Sequence, residues 1–405
     1  MNSERVVIVG ASHAACELIA SLRKFGWQGE ITMIGEESML PYHRPPLSKA
    51  YFQGQMEKAK LLIKPESAYA QVDTYLSTRA LSINREAKSV RLDSGKDVFY
   101  SKLILATGTR ARKLSIDGAH ADYIHTLRTF DDAETLRDSL PEGGTLLIVG
   151  AGYIGLEVAA SAVKQGRSVV ILEAQERVLQ RVTSPLVSEF YTQQHRSQGV
   201  DIRLEAQLQS FEEEEGMRFA VLSNGERIAF DCALVGIGVI PNIELAQQAA
   251  LNCDNGIMVD EYCRTDDEDI YAIGDVCNQV NSVYQQRLRL ESVPSAIEQA
   301  KKAAASICER EYPDSFVPWF WSDQYDLKLQ TAGMFNGYDQ VVVRDNQGAN
   351  KMAVFYLKEQ YLLACDAINS PAEFMVSKKL IANKTKLNVE LLADPEVALK
   401  TLLPS

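Results

Sequence analysis

The sequence lacks a cysteine pair of the kind that carries thiol chemistry. It contains seven cysteines, an odd number, and none of them forms a C-x-x-C motif. No cysteine occurs between Cys16 and Cys232. These absences argue against a disulfide framework and exclude a dithiol redox centre in that long stretch. Because free cysteine packs as a small hydrophobe, we expect most of the seven to lie in the core.

Long apolar runs, histidine clusters and excess positive charge are missing as well. No apolar run reaches the length that spans a bilayer, and no apolar signal segment precedes the first predicted strand. The five histidines are scattered without metal-ligand spacing, so we expect no metal site. The net charge of −12 disfavours nonspecific binding to nucleic acid or anionic membranes. We therefore expect a soluble, cytoplasmic protein.

Two segments of the 405-residue chain repeat one strand–turn–helix pattern. They run over residues 6–15 and 146–155, and each leads to a second apolar strand followed by an acidic residue, Glu36 or Glu173. One such unit binds one dinucleotide. The chain is long enough for two or three domains. Two nucleotide units suggest a retained flavin and an exchanging nicotinamide, and therefore electron transfer.

The second repeat carries an intact G-x-G-x-x-G fingerprint at Gly150, Gly152 and Gly155. The first glycine allows the tight turn, the second lets backbone approach a pyrophosphate, and the third lets helix and strand pack closely. The N-terminus of the following helix favours phosphate. Glu173 is placed to accept both ribose hydroxyls and would repel a 2′-phosphate, so we expect NADH rather than NADPH.

The first repeat is degenerate, with Gly10, Ser12 and Ala15 at the fingerprint positions. Ser12 puts a Cβ where backbone would approach phosphate, so either the turn relaxes or the hydroxyl donates to the pyrophosphate. The alternative is a packing turn without a ligand. Glu36, 26 residues after Gly10, supports a ribose contact.

Two further strand ends resemble ligand-binding turns. The first is Ala106-Thr107-Gly108, which follows an apolar strand, and the second is Gly274-Asp275. An aspartate at a strand end can accept a hydrogen bond from a ribityl hydroxyl of a flavin. A Gly-Asp turn alone means little, but together with two nucleotide units it points to FAD.

The order of elements predicts an α/β protein with two doubly wound Rossmann-like domains and a C-terminal α+β domain. The predicted FAD-binding domain is discontinuous, at residues 1–108 and 242–318. The NAD-binding domain covers residues 109–241, and an interface domain covers 319–405. A helix is allowed from Leu47 onward, another is expected from Pro294 to Cys308, and Pro371 is expected to open the last helix.

Several segments together resemble the FAD-dependent ferredoxin reductases of bacterial monooxygenase and dioxygenase systems, a glutathione-reductase-like architecture. They occur in family order along nearly the whole chain: residues 40–49, 106–108, 150–157, 240–242, 274–275, 291–294 and 319–324. The main departure is Ser12, which puts the local pyrophosphate geometry in question.

The resemblance implies a set of cofactor-binding residues. Around FAD they are Gly10, Ser12, His13, Ala14, Glu36, Arg44, Pro45, Lys49, Ala80, Ala106, Thr107, Gly108, Arg128, Gly274, Asp275, Ser292 and Val293. Around NADH they are Gly150, Gly152, Tyr153, Ile154, Gly155, Glu173 and Gly238. From the residues alone, Arg128 meets flavin phosphate or pyrimidine oxygens, or is an ordinary surface arginine.

The resemblance also implies four catalytic candidates. Lys49 and Glu157 resemble an ion pair beside flavin N5, the alternative being two unrelated surface charges. Tyr153 resembles an aromatic that covers the nicotinamide pocket and swings away, the alternative being core packing. Trp321 either shields the flavin or packs between domains.

The activity implied is that of an NADH-dependent ferredoxin reductase. A hydride passes from NADH to FAD, and single electrons then pass to a [2Fe–2S] ferredoxin that serves a bacterial oxygenase, with a cytochrome P450 monooxygenase favoured. The cysteine gap excludes a disulfide reductase or a cysteine peroxidase of related architecture. Two alternatives stay open: an NADH oxidase or diaphorase, and a redox-sensing flavoprotein like apoptosis-inducing factor. We expect a monomer or weak homodimer.

An acidic ferredoxin requires a local basic face on this acidic chain, or else only scattered surface charges are present. The candidate cations are Lys64, Arg287, Arg289, Lys301, Lys302 and Arg310. Such a patch would speed encounter by electrostatic steering.

Overall fold

The structure, a computed structural model, describes residues 4–313, 315–345 and 350–404. Its strands, in chain order, are β1 (Arg5–Val9), β2 (Glu30–Ile34), β3 (Asp73–Tyr75), β4 (Ala80–Asn84), β5 (Ser89–Leu92), β6 (Asp97–Phe99), β7 (Lys102–Leu105), β8 (Thr109–Ala111), β9 (Ile124–His125), β10 (Thr145–Val149), β11 (Ser168–Leu172), β12 (Asp201–Arg203), β13 (Leu208–Glu214), β14 (Met217–Leu222), β15 (Arg227–Phe230), β16 (Cys232–Val235), β17 (Val239–Pro241), β18 (Ile257–Val259), β19 (Ile270–Ala272), β20 (Cys277–Asn281), β21 (Gln286–Arg289), β22 (Trp319–Gln324), β23 (Leu327–Gly333), β24 (Gln340–Asp345), β25 (Met352–Lys358) and β26 (Tyr361–Ile368). The α-helices are α1 (His13–Phe25), α2 (Phe130–Ser139), α3 (Tyr153–Lys164), α4 (Pro185–Ser197), α5 (Glu244–Gln248), α6 (Val293–Ile307), α7 (Pro371–Ala382) and α8 (Val389–Ala393).

The chain divides into two compact units. The first comprises residues up to 43 together with 61–110 and 240–320. The second comprises residues 44–60 and 111–239 and the chain from 321 onward. Both units are therefore discontinuous in sequence.

The first unit is built on a parallel five-stranded sheet in the order β19-β7-β1-β2-β3. The fingerprint strand β1 lies in the middle of this sheet, and its residues from Val6 to Ile8 are fully buried. Because both faces of the strand are covered, its residues are consecutively apolar. Helices α1 and α6 pack against each other in this unit and share its apolar core.

The second unit repeats that arrangement with a parallel sheet in the order β12-β11-β10-β16-β9. Its fingerprint strand β10 is flanked by β11 and β16, as β1 is flanked by β2 and β7. The same unit contains the antiparallel hairpins β13-β14-β15 and a five-stranded sheet in the order β22-β23-β26-β25-β24, with α7 packed on β23 and β26. The predicted α/β class, with two Rossmann-like sheets and a C-terminal α+β part, is confirmed.

One helix that the sequence allowed does not form, and one local expectation was wrong. The segment from Leu47 does not continue as an α-helix; residues Pro45–Ser48 form a single 3₁₀ turn, and Lys49 leaves the helical region at φ −128° and ψ −114°. Prolines at the start of a helix cost it no hydrogen bond, so the turn ends because the Lys49 backbone leaves the helical region. Pro371 does open α7, but α8 follows it, with Asn388 capping the N-terminus of α8.

All seven cysteines are free thiols. Five are buried, while Cys253 and Cys308 are half-buried. None of the helices described is long and apolar enough to cross a membrane.

Candidate functional site

The first fingerprint turn brings together the carboxyl ends of three strands. The Gly10 amide donates to Ile34 O over 2.8 Å, and the Ala106 amide donates to Val9 O over 2.8 Å. A Cβ on Gly10 would lie 2.1 Å from Ala106 O, and φ is +123°. Only glycine satisfies both constraints, so the turn has the conformation that a dinucleotide fingerprint requires.

The second fingerprint turn has the same geometry. The Gly150 amide donates to Leu172 O over 2.7 Å, and a Cβ on Gly150 would lie 2.6 Å from Gly236 O. A Cβ on Gly155 would lie 2.4 Å from Gly150 O, which explains the close packing of α3 on β10. A Cβ on Gly152, by contrast, would meet no described atom within 4 Å. The protein itself does not require glycine there, so the residues fit a nucleotide that approaches this backbone.

The helices that follow the two turns begin without a capping side chain. Within the described residues, neither Ser12 before α1 nor Gly152 before α3 makes a side-chain cap, whereas Thr129 and Asp132 form a capping box on α2. Without a capping side chain, the amide groups at the start of each helix are suited to bind a phosphate. Ser12 has extended backbone at φ −139°, so its Cβ causes no backbone strain in the turn.

The two acidic residues lie at the same sheet edges as the turns. Glu173 follows β11 directly, and its Oε2 accepts from the Ala151 amide over 2.7 Å. This bond joins the carboxylate to the fingerprint turn. Glu36 lies two residues after β2 and pairs with Arg79, with both side chains more than 60% exposed. Both carboxylates are thus placed at the end of the second strand of a nucleotide-binding unit.

A residue outside the predicted set, Asn242, holds the Ala106–Gly108 turn with both its side chain and its backbone. The Asn242 side chain donates from Nδ2 to the Thr107 backbone carbonyl over 2.9 Å. The Asn242 backbone carbonyl accepts from Thr107 Oγ1 over 2.8 Å. The Asn242 amide also donates to Gly108 O. Three bonds therefore fix a turn that the sequence identified only by its small residues.

The Gly274-Asp275 turn is also braced from a residue that sequence reasoning missed. The Gly274 amide donates to Oε1 of the buried Gln299 on α6 over 2.8 Å. Thr109 Oγ1 donates to the Asp275 carboxylate over 3.3 Å, and Gly274 packs against Ala14 of α1. Gln299 lies among alanines on the buried face of α6. That single polar residue in an apolar face was the sign in the sequence that its side chain has a partner inside the protein.

The remaining predicted residues of the first unit lie at element ends. Ser292 caps α6 by accepting from the Ser295 amide, and Val293 is the first residue of that helix. Ala80 begins β4 and is buried. His13 is the first residue of α1, and its ring centroid lies 5.6 Å from that of His43 with the two planes tilted by 58°.

Lys49 and Glu157 form a buried ion pair in the second unit. Lys49 Nζ lies 2.5 Å from Glu157 Oε2, with 18% of the lysine side chain and 7% of the carboxylate side chain exposed. Ser48 Oγ donates to the same Oε2 over 2.5 Å, and Ser322 Oγ donates to Oε1 over 2.7 Å. The two charges are therefore not unrelated surface groups. A buried carboxylate needs such donors, and Glu157 has three.

Arg44, Pro45 and Arg128 lie around the same segment of the second unit. Arg44 Nη1 donates to Arg128 O over 2.6 Å, and Lys49 Nζ lies 3.2 Å from Pro45 O. The Arg128 amide donates to Asp132 in the first turn of α2. Hydrogen bonds at both the amide and the carbonyl of Arg128 therefore fix the backbone from which its side chain extends.

Tyr153 is the first residue of α3, and burial raises the pKa of its hydroxyl well above the usual value. The next residue, Ile154, is largely exposed, and Gly238 has a φ of +103°. Trp321 lies half-buried on β22 beside Ser322, which bonds to Glu157. The roles assigned to these residues stay predictions.

Comparison with known proteins decides the family. Residues 4–300 match the family described as pyridine nucleotide-disulphide oxidoreductase, and residues 319–403 match a reductase C-terminal domain. The chain belongs to the pyridine nucleotide-disulphide oxidoreductase family. Its cofactors are accordingly FAD and NADH.

Three relatives of this oxidoreductase align over nearly its full length. Putidaredoxin reductase CamA of Pseudomonas putida is 41% identical, covering 100% of this chain and 98% of the relative. A solved covalent putidaredoxin reductase–putidaredoxin complex also contains a chain that matches, with a TM-score of 0.95 at 40% identity, covering 99% of this chain and 98% of that one. The ferredoxin reductase for the CYP199A2 system of Rhodopseudomonas palustris is 35% identical, with a TM-score of 0.95 and coverage of 99% and 100%. A rubredoxin-NAD(+) reductase of Pseudomonas putida is 39% identical over 90% of this chain and 96% of the relative.

The basic face predicted for this oxidoreductase is smaller than expected. Lys302 is buried in α6, which contradicts its assignment to a surface patch. Arg287 donates to the carbonyls of Val259 and Asn278, and Arg289 donates to Asp275 O and pairs with Glu291. Arg287 lies on β21, so its two bonds join that strand to β18 and β20. Of the predicted cations, Lys64, Arg287 and Arg310 are exposed, and Lys301 is half-buried.

Proposed function

We propose that this protein is an NADH-dependent ferredoxin reductase that supplies single electrons to a [2Fe–2S] ferredoxin of a bacterial oxygenase system, with a cytochrome P450 monooxygenase as the terminal enzyme. Bound FAD supplies the exchange between a two-electron hydride donor and one-electron acceptors. The observation that carries the proposal is two fingerprint turns of one geometry in a chain with no cysteine between Cys16 and Cys232. A relative that serves the CYP199A2 system supports the choice of oxygenase.

The proposed roles follow the two units. In the first, the Gly10 turn and the N-terminus of α1 hold the FAD pyrophosphate, Glu36 binds its ribose, and Asp275 binds the ribityl chain. The start of α6, at Ser292 and Val293, offers its positive end to the flavin ring. The domain boundaries expected from the sequence, at 1–108 with 242–318, 109–241 and 319–405, belong to this proposal.

In the second unit, the Gly150 turn holds the NADH pyrophosphate, and Glu173 selects its ribose. Glu173 already accepts the Ala151 amide with Oε2 and the Gln175 amide with Oε1, so its carboxylate plane is fixed toward the turn. A fixed negative charge repels a 2′-phosphate. The preference for NADH over NADPH therefore rests on this side chain.

The Lys49–Glu157 pair is proposed to act in flavin reduction. A lysine ammonium beside a flavin stabilises negative charge that develops on the ring. The partner carboxylate and the two serine hydroxyls keep the ammonium in one place. Lys49→Met removes the charge at nearly constant length and should slow flavin reduction far more than it weakens FAD binding.

The test is an anaerobic titration of the purified flavoprotein with NADH, followed by mixing with acceptors in a stopped-flow instrument. We expect NADH to bleach the flavin absorption and an oxidised [2Fe–2S] ferredoxin of the putidaredoxin type to restore it much faster than oxygen, quinone or rubredoxin does. Lys49→Met is expected to lower the reduction rate at least tenfold, with unchanged FAD content.

Three outcomes would contradict the proposal. A colourless protein that cannot be reconstituted with FAD, or a flavin that NADH does not bleach, removes the activity altogether. Fast reoxidation by oxygen would indicate an NADH oxidase. A long-lived reduced complex with NADH-dependent dimerisation and slow ferredoxin turnover would indicate a redox-sensing flavoprotein instead of a reductase that acts as a monomer or weak homodimer.

A further inference from the structure

Polar side chains from a strand and a helix form one continuous chain of hydrogen bonds that ends on Glu157. Ser322 Oγ donates to Glu157 Oε1 over 2.7 Å, and Gln324 Nε2 donates to Ser322 Oγ over 3.1 Å. His195 Nε2 lies 2.9 Å from Gln324 Oε1, and Tyr325 OH lies 2.9 Å from His195 Nδ1. We call Tyr325, His195, Gln324 and Ser322 the donor chain.

Chemistry fixes the direction of every bond in the donor chain. A carboxylate only accepts, so Ser322 gives its one proton to Glu157 and accepts from the Gln324 amide nitrogen. Gln324 Oε1 then faces His195 and needs a donor, which is Nε2–H of a neutral ring. Nδ1 of that ring carries the lone pair and accepts the Tyr325 hydroxyl. Burial lowers the pKa of His195 to about 4, in agreement with a neutral ring at pH 7.

The three inner members of the donor chain are shielded from water, while Tyr325 at its outer end is half-buried. Ser322 and His195 have no exposed surface, and Gln324 is 1% exposed. Aligned hydrogen bonds polarise one another in a poorly solvated interior. All the donors of the chain point toward Glu157, so their effect adds at that carboxylate.

The two oxygens of Glu157 are used by different partners. Oε1 belongs to the donor chain through Ser322, whereas Oε2 accepts from Lys49 and Ser48. Because Oε1 is held, the carboxyl group cannot rotate about its last bond, and Oε2 stays directed at the lysine. Ser322 and Gln324 lie on β22 and His195 lies on α4, so elements remote in sequence set the orientation of a residue on α3.

We propose that Ser322, Gln324, His195 and Tyr325 are positioning residues for flavin reduction: they hold the Glu157 carboxylate so that Lys49 stays at its working position. The proposal rests on the proposed function of the Lys49–Glu157 pair. None of the four needs to touch a cofactor, and their effect on the reaction passes through Glu157.

The main experiment measures anaerobic flavin reduction by NADH in the holoenzyme and in variants. Ser322→Ala is expected to lower the rate constant at saturating NADH about tenfold, the equivalent of one hydrogen bond to a charged group, while NADH affinity changes less than about twofold. Ser322→Thr keeps the hydroxyl and should restore most of the rate. In a Lys49→Met background, Ser322→Ala should have no further effect, because its role is exerted through that pair.

Thr192→Val is the matched control. Thr192 is a buried hydroxyl on α4, three residues before His195, and its Oγ1 bonds to Ser188 O of its own helix. The variant loses one buried hydrogen bond near the donor chain without touching it. Its reduction rate should stay within about twofold of the wild type.

A second measurement does not depend on turnover. Nitrogen-15 NMR of the histidine rings should show His195 as the neutral Nε2–H tautomer, and Tyr325→Phe should shift the Nδ1 resonance because that nitrogen loses its donor. An Nδ1–H tautomer in the wild type would overturn the direction of the chain and with it the proposal, even if Ser322→Ala failed to fold.

The outcomes separate this inference from the proposed function. If NADH bleaches the wild type and Ser322→Ala at equal rates, the positioning role is wrong and the reductase activity stands. If Ser322→Ala slows reduction equally with and without Lys49, the effect does not pass through the pair, and the inference again fails. If NADH does not bleach the wild type, the proposed function fails, and the inference fails with it.

Discussion

At the scale of single residues, glycine occurs at each of the three positions of the second fingerprint for a different reason. Gly150 has φ +101°, and Gly155 leaves no room for a Cβ beside Gly150 O, so both are required by the protein itself. Gly152 has an ordinary φ of −80° and open space around it. We propose that a ligand approaching this backbone is the reason for glycine at that position.

Two alanine substitutions therefore should separate folding from binding. Gly155→Ala is expected to destabilise the protein by about 1–3 kcal/mol, because α3 must move away from β10. Gly152→Ala should leave the free energy of unfolding within about 0.5 kcal/mol and weaken NAD⁺ binding about tenfold. Chemical denaturation and calorimetric titration with NAD⁺ measure the two quantities. Equal destabilisation by both, or unchanged affinity in Gly152→Ala, would contradict this assignment.

The fingerprint residues could be predicted from sequence because their spacing is local. The Lys49–Glu157 pair spans 108 positions and came only from the family resemblance. Ser48 and Ser322 stand inside motifs that carried the resemblance, yet nothing local shows that both hydroxyls reach one carboxylate. His195 is a lone histidine in a helix, and its partners depend on which strand packs there.

At the scale of elements, the parallel strands and long helices followed from apolar runs and turn residues. The failures lie at residues 45–48, which form a 3₁₀ turn and not an α-helix, and at α8, a five-residue helix that Asn388 caps locally. A buried carboxyl was also unpredictable: Asp366 on β26 accepts from Thr331 of β23, from Tyr356 of β25 and from Thr183 just before α4. These three bonds join two strands and a loop to the centre of the C-terminal sheet.

Removing Asp366 should loosen that sheet. Asp366→Ala leaves three buried hydroxyls without their acceptor and is expected to cost about 3 kcal/mol of unfolding free energy. Asp339→Ala, an exposed aspartate in the same part of the chain, should cost less than about 0.5 kcal/mol. Urea denaturation with intrinsic fluorescence measures both. Similar losses for the two variants would show that the network contributes little.

The same residue gives a pH signature. Burial raises the pKa of Asp366, so the folded state binds its proton more tightly than the unfolded state does. Its contribution to stability is present below the ordinary carboxyl pKa of about 4 and is lost as the pH rises through the folded value. Asp366→Asn cannot ionise, so unfolding free energy measured across that range should fall less steeply with rising pH than in the wild type.

At the scale of the whole molecule, a net charge of −12 opposes encounter with an acidic ferredoxin. Any steering must come from local cations. Lys302 is buried and the Arg289 side chain is only 10% exposed, which leaves Lys64, Arg287, Lys301 and Arg310. Charge totals were readable from the sequence. The sequence did not show which cations are exposed to solvent. Lys301 and Lys302 are neighbours on α6, and only the packing of the helix shows that Lys302 is the buried one.

We expect the second-order rate of ferredoxin reduction to fall as salt rises, since screening removes attraction over about 10 Å at 0.1 M. Lys301→Gln with Arg310→Gln should lower that rate about threefold at low salt and leave it unchanged at high salt. Lys400→Gln, an exposed lysine of the second unit, is the control. A rate that rises with salt would mean that the net negative charge dominates and no steering patch exists.

The uneven burial of the thiols has a practical consequence for experiments. The two half-buried sulfurs, Cys253 and Cys308, both belong to the first unit, while Cys232 and Cys365 of the second unit are buried. A maleimide dye or spin label would therefore attach to one half of the chain without any engineered site. The wild-type protein therefore already carries attachment sites for fluorescence or EPR labels that report on the first unit during turnover.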